Sequence, residues 1–205
     1  MITKQQSDFL KLIALCAMVF DHIGFYLLPE LVELRAIGRI AFPIFAYQLT
    51  IGYSMTSSKK DYFYRLIIVG LVSQIPHYFL SNELYLNILF TLALGVLALY
   101  SIDKKKYYYL FLIIPLSFLC SYSVYGILII LIFYIFKGAM QFGLFAFSTI
   151  LYSLYVLWPI QAFALFAFPI ITNPIFKITL PKNFFYIFYP AHLLVILLIK
   201  KLIIG

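Results

Sequence analysis

In MVFDHIGFYLLPE, residues 18–30, Asp21 and His22 stand side by side inside an apolar stretch. Two arginines follow in LRAIGR, Arg35 and Arg39, four residues apart. Inside a bilayer such groups are costly unless paired, and where they occur they hold structure together, bind ligands, or carry ions and protons. Neighbouring helical residues point about 100° apart, so Asp21 is badly placed to orient His22. Tyr26, one turn beyond His22, is the nearer partner for the ring. Asp21 is expected to pair with a cation from another element, Arg35 or Arg39. The arginines share a helix face, which leaves two readings open: they clamp an anion, or they neutralise Asp21, Glu30 and Glu33.

The remaining polar residues in apolar runs are few. Asn87 and Thr91, in LNILFTLALG, also share a face, and Gln74 follows Ser73; hydrogen bonding between helices is the first reading for all three. Gln48 and Gln161 complete the uncharged set. His77 follows SQIP, and His192, in FYPAH near the start of the last apolar run, is expected at the cytoplasmic mouth of the bundle. Gly38 permits close helix approach. Pro43, in AFPIF, is expected to bend its helix and open a cavity toward His22.

The elements that must position these groups are read from composition. Of 205 residues, 65% are hydrophobic and 11% charged, a balance that places the chain in a membrane rather than in a soluble domain. Apolar runs of about 15 to 20 residues recur without the alternation of a transmembrane barrel. The expected fold is an all-α polytopic bundle forming one domain over 1–205, with spans near 9–28, 37–56, 64–80, 86–102, 107–121, 123–136, 141–157, 159–171 and 184–203. Trp158-Pro159 marks either a break between two short spans or a kink in one, so nine spans are expected and eight are possible. No small-residue cleavage site follows the first apolar run, which is expected to stay in the protein.

The net charge of +8 does not point to nucleic acid, because the lysines sit in the breaks between spans rather than on one soluble face. Lys4, Lys59, Lys60, Arg65, Lys104, Lys105, Lys106, Lys137, Lys177 and Lys182 fall on one side of the alternating spans, which predicts a cytoplasmic N-terminus and a multi-pass protein of the cytoplasmic membrane. Cys16 and Cys120 lack the spacing of a disulfide framework or a metal site, and no metal is expected.

The segments LKLIALCAMVFDHIG, LRAIGRIAFPIFAY, SQIP, LNILFTLALG and FYPAHL, taken in order, resemble the TraX family of membrane proteins, whose best-known members N-acetylate the pilin of conjugative plasmids. The resemblance implies an acyltransferase that takes an acetyl group from cytoplasmic acetyl-CoA and passes it to an acceptor within or across the membrane. It implies that His22 acts near the acyl carbon and that Arg35 and Arg39 shape the site. Such a transfer needs a base for the attacking amine or hydroxyl, the role expected of His22 with Asp21 and Tyr26 beside it. It also needs a donor for the oxyanion, with Tyr26, Asn87, Thr91 or an arginine as candidates.

Gln74 and His192 complete the expected substrate-binding set. Without a Ser or Cys beside a histidine, direct transfer is favoured over an acyl-enzyme. The coenzyme A phosphates are expected near the cytoplasmic lysines or His192, with the pantetheine arm threading inward and the arginines aligning Asp21 or binding acceptor. The acceptor is a peptide such as a pilin N-terminus, or a cell-surface glycan. The rival reading is a small proton- or ion-coupled transporter using Asp21, His22 and the arginines as a path.

Overall fold

In hydrocarbon every backbone N–H and C=O must find a partner within the chain, and a sequence of apolar runs meets that demand as helices. The computed structural model, which describes residues 2–204, is all-α. Its helices are α1 (Lys4–Tyr26), α2 (Val32–Gly38), α3 (Ala41–Met55), α4 (Lys59–Ser81), α5 (Ile88–Asp103), α6 (Leu110–Ser117), α7 (Ser123–Ile135), α8 (Gly138–Tyr155), α9 (Ala167–Thr172) and α10 (Phe184–Ile204). Tight 3₁₀ turns cover Tyr107–Tyr109 and Pro159–Phe166.

Among the described residues, three helices are long and apolar enough to cross a membrane: Lys4–Tyr26, Lys59–Ser81 and Phe184–Ile203. Each of the other apolar runs read from the sequence is helical, but Ile88–Asp103, Tyr107–Ser117, Ser123–Ile135 and Pro159–Thr172 are shorter. The inner faces of α1, α3, α5 and α7 bury Leu10, Ile44, Leu89 and Ile130. The outer surface is also apolar, with Ile68, Val72, Phe111, Leu151, Leu154, Val195 and Leu198 exposed. Apolar faces both inside and outside identify a membrane protein, with lipid covering the outer one.

Polar ties fix the helix directions. Ile178 N–H donates to the Gln5 carbonyl at 3.3 Å, and Leu180 N–H to the Asp8 carboxylate at 3.3 Å, joining the approach to α10 with the start of α1. At the far end Lys200 Nζ donates to the Leu80 carbonyl at 3.0 Å and lies 5.7 Å from the Tyr26 ring centre. The three long helices α1, α4 and α10 therefore run parallel. The Tyr53 and Tyr134 hydroxyls both donate to Asp103, at 3.0 and 2.8 Å, gathering the ends of α3, α5 and α7. That end, together with the start of α1 and the 173–183 connection, carries the lysines at 4, 59, 60, 104–106, 137, 177 and 182, with Arg65 nearby. Arg35, Arg39, Lys200 and Lys201 lie toward the opposite end.

One local expectation is corrected and one open alternative is decided. Pro43 does not bend a span: the chain breaks at Arg39–Ile40 and α3 starts at Ala41, so Pro43 occupies a first turn, where its missing N–H is harmless. Trp158-Pro159 is a break rather than a kink, because Leu157 takes φ 51° and the Pro159–Phe166 turn packs back on α8.

Asn87, fully buried, caps α5 by accepting from Leu89 N–H at 3.1 Å, and its amide donates to the Gly70 carbonyl and the Gln74 Oε1, both at 2.8 Å. Asn87→Ala is expected to cost about 2–3 kcal/mol, a lost cap plus buried groups left unpaired. Thermal unfolding in detergent checks it, and an unchanged midpoint would count against this joint between α4 and α5.

Candidate functional site

The site begins where α1 and α2 meet. A Cβ on Gly38 would lie 2.3 Å from Asp21 Cβ and 2.7 Å from its Cα, so only glycine admits this approach. The closeness lets Asp21 reach both arginines. Arg39 forms an ion pair with it, and Arg35 Nη1 stands 3.6 Å from Oδ2. Arg39, 6% exposed, also donates to the Arg35 carbonyl at 3.2 Å and to Gln161 Oε1 at 3.3 Å. Both guanidinium groups lie against the Trp158 ring, at 4.9 and 5.0 Å, and Arg35 covers Phe25 at 4.4 Å. Of the two readings open for the pair, the anion between these arginines is the protein's own Asp21.

Gly38→Ala must push α2 away from α1, and the expected loss is roughly 1–3 kcal/mol, the usual cost of overpacking. Equal unfolding midpoints for parent and variant would contradict it.

The next residue of α1 after Asp21, His22, belongs to a histidine pair. His22 Nδ1 and His192 Nε2 are 2.8 Å apart, with rings stacked at 5.0 Å and nearly parallel at 6°. Two sequence expectations change. The hydrogen-bond partner of His22 is His192, while Tyr26 sits with its ring 5.8 Å away and makes no such bond. His192 is not at the mouth of the lysine-rich end, because α10 runs parallel to α1 and its third turn comes level with the far part of α1.

The pair has a direction. The Phe188 carbonyl only accepts, and His192 Nδ1 lies 3.1 Å from it, so Nδ1 carries the proton and His192 Nε2 carries a lone pair. His22 must then donate through Nδ1, which leaves its Nε2 as a lone pair with no protein partner among the described residues. A backbone carbonyl thus fixes two tautomers in series, as an outer partner fixes a ligating or catalytic histidine elsewhere.

His22 opens onto a cavity of about 910 Å³ that also reaches Asp21, Tyr26, Arg35, Arg39, His77, Tyr122, Trp158 and Gln161. Two buried nitrogens on its wall have no hydrogen-bond partner, Gln161 Nε2 and His77 Nδ1. Gln161, whose Oε1 is held by Arg39, therefore keeps a buried amide nitrogen without a hydrogen-bond partner in the wall of the cavity.

The expected residues separate into two groups. Asp21, His22, Tyr26, Arg35 and Arg39 line the cavity, and His192 stands directly behind His22. Gln74, Asn87 and Thr91 lie off its wall. Gln74 donates to the Tyr85 carbonyl at 2.8 Å and accepts from Asn87, and Thr91 donates to the Ser121 carbonyl at 2.5 Å. Trp158 and Tyr122 belong to the cavity without having been singled out, since aromatics are too common in this chain to stand out. Gln161 was visible only as one polar residue in an apolar run.

The TraX protein family matches residues 6–200, nearly the whole chain. A probable fimbrial assembly protein, FimC of Dichelobacter nodosus, is 26% identical over 230 aligned positions, covering 90% of this chain and 91% of that protein. An uncharacterised protein of Rickettsia prowazekii is 42% identical over 95 residues; that match spans 46% of this chain and 36% of the relative. No solved structure matches the chain. On a family match of that extent, carrying the DHIG, LRAIGR and YPAH segments that build the site, this chain belongs to the TraX family.

Proposed function

We propose that the protein is a multi-pass acyltransferase of the cytoplasmic membrane that moves an acetyl group from acetyl-CoA to an amine acceptor. The observation that carries this is the series Phe188 carbonyl, His192, His22, which leaves a lone pair on His22 Nε2 facing a roomy cavity. As the acceptor nitrogen attacks the thioester carbonyl, a C–N bond forms and the nitrogen sheds a proton to His22 Nε2. The tetrahedral oxyanion takes a hydrogen bond from a donor on the cavity wall, within reach of the Arg39 charge. Collapse breaks the C–S bond, and the leaving thiolate takes the proton back from His22.

The lysine-rich end is cytoplasmic in this reading, by the charge bias of membrane proteins. The cavity then faces the other side, where acceptors destined for export are found. Membership of the TraX family and the similarity to a fimbrial assembly protein favour a pilin or another surface peptide as acceptor. The experiment is incubation of the purified full chain with acetyl-labelled acetyl-CoA and a peptide with a free N-terminus. Label on the peptide amine is expected; no detectable binding of acetyl-CoA would overturn the proposal, and acceptor-independent ion uptake in vesicles would favour a transporter.

A further inference from the structure

Between α6 and α7 the sequence reads SYSVYG, residues 121–126. The chain turns there through two successive left-handed residues, Tyr122 at φ 64° and Ser123 at φ 46°, and among the described residues no other two neighbours without glycine do so. Glycine or asparagine takes this conformation freely; for a side chain as large as tyrosine it is costly and persists only where the surroundings impose it. Here they do. The Ser121 N–H and hydroxyl both donate to the Leu86 carbonyl, at 3.0 and 3.1 Å, and the Ser121 carbonyl accepts from buried Thr91 of α5. On the other side the Gly126 N–H donates to the Tyr122 carbonyl at 3.0 Å and starts α7.

What this turn determines is where the Tyr122 ring goes. It stacks on Phe42 of α3, with ring centres 4.2 Å apart and planes 14° from parallel, and its free face belongs to the wall of the cavity that His22 opens onto. The rings of Tyr125 and Tyr152 stand 6.1 and 6.5 Å away and close in its flank. A backbone pinned on both sides and a ring held in a stack leave the hydroxyl one place to be. It makes no protein hydrogen bond among the described residues, and unlike Gln161 Nε2 and His77 Nδ1 it is not sealed within the wall. Other wall donors are engaged: the Ser81 hydroxyl by the His77 carbonyl, the Tyr125 hydroxyl by Thr149, and both arginines by Asp21. The Tyr122 hydroxyl also lies in the field of Arg39, Asp21 and Arg35.

We infer that the Tyr122 hydroxyl is the donor that receives the oxyanion of the tetrahedral intermediate. A donor fixed before the reaction begins costs no reorganisation when charge appears on the carbonyl oxygen, and the strained turn is what fixes it. The phenol lends its hydrogen bond and keeps its proton, so the proton traffic stays with His22. Base and donor come from different elements, α1 and the turn before α7, and meet the reacting carbon from different walls. The inference rests on the acyltransfer reading.

The test uses the full chain in detergent and Tyr122→Phe, which keeps the ring, its stack and the turn and removes only a hydroxyl with no protein partner. Two forms of the acceptor peptide serve as calorimetric probes. One carries an N-terminal methylphosphonamidate, whose tetrahedral phosphorus places an anionic oxygen where the intermediate has its own; the other carries the planar acetyl group of the product. Tyr122→Phe is expected to keep the unfolding midpoint, to slow acetyl transfer by about 10²- to 10³-fold, to bind the phosphonamidate about tenfold more weakly or worse, and to bind the acetyl peptide as the parent does. Equal phosphonamidate affinity in parent and variant overturns the assignment, as does a parent that does not bind it at all. An equal loss for both probes overturns it in favour of a plain peptide contact, and a parental transfer rate in Tyr122→Phe overturns it outright. Selective loss of phosphonamidate binding in a protein that transfers no acetyl group upholds the oxyanion donor and sinks the transfer reading alone.

Discussion

His22→Ala lowers acetyl transfer by about 10²- to 10⁴-fold, the range expected when a positioned base is lost, and the protein still folds. The imidazole makes one protein hydrogen bond, to His192, and the rest of its surroundings are cavity and aromatic ring. Removing it takes away the acceptor for the nucleophile's proton without unpairing a buried charge. His192→Ala acts on the same chemistry at one remove. His22 loses the partner that holds its proton on Nδ1, so the lone pair is on Nε2 only part of the time. His192 does not line the cavity, so kcat falls while KM for acetyl-CoA and acceptor stays near the parent value. Single-turnover and steady-state rates on the two variants make the comparison. An active His22→Ala protein removes the histidine from the mechanism, and a rise in KM without loss of kcat in His192→Ala assigns that residue to binding.

Asp21→Asn has the largest expected effect on stability. Arg39 is almost wholly buried, and Asp21 is the carboxylate that pairs with it. Taking one charge from a buried pair leaves the other uncompensated, at a cost of about 3–5 kcal/mol. The Gln161 and Arg35 carbonyl contacts soften that loss but carry no negative charge. The cost is read as a lowered unfolding midpoint in detergent, and a double change, Asp21→Leu with Arg39→Met, is expected to recover much of it, since an apolar pair needs no neutralisation. Asp21→Asn and His22→Ala thus separate two neighbours on one helix, the first a matter of folding and the second of turnover. Equal loss of folded protein in both would mean that the two residues do not divide the work in this way.

Electrostatics made the pairing of Asp21 legible in the sequence, because a carboxylate in hydrocarbon requires a cation and the nearest candidates outside its own helix were Arg35 and Arg39. Gly38, between those arginines, likewise read as a point of close approach, and the structure puts Asp21 against it. The helical segments followed from hydropathy for the reason that backbone in lipid has few alternatives. The meeting of His22 with His192 was not legible. It joins residues 170 apart in sequence and depends on α1 and α10 lying side by side in the same direction, which no local pattern encodes. The same limit governs Gln74, Asn87 and Thr91. Their types suit a substrate site as well as a helix joint, and only the positions of the Gly70, Tyr85 and Ser121 carbonyls reveal that their polar atoms are engaged. The proline in AFPIF misleads for a related reason. A proline within an apolar run reads as a bend unless the helix starts just before it, and that start is set by the break at Arg39–Ile40.

Trp158 is the only tryptophan in the chain, and it lies against both guanidinium groups that hold Asp21. That tryptophan, excited apart from the eighteen tyrosines, reports on this site and no other. Its emission is an unlabelled, single-site signal of whatever disturbs that charge cluster, and filling of the cavity by an acceptor peptide becomes readable in a cuvette before any acetyl group has moved.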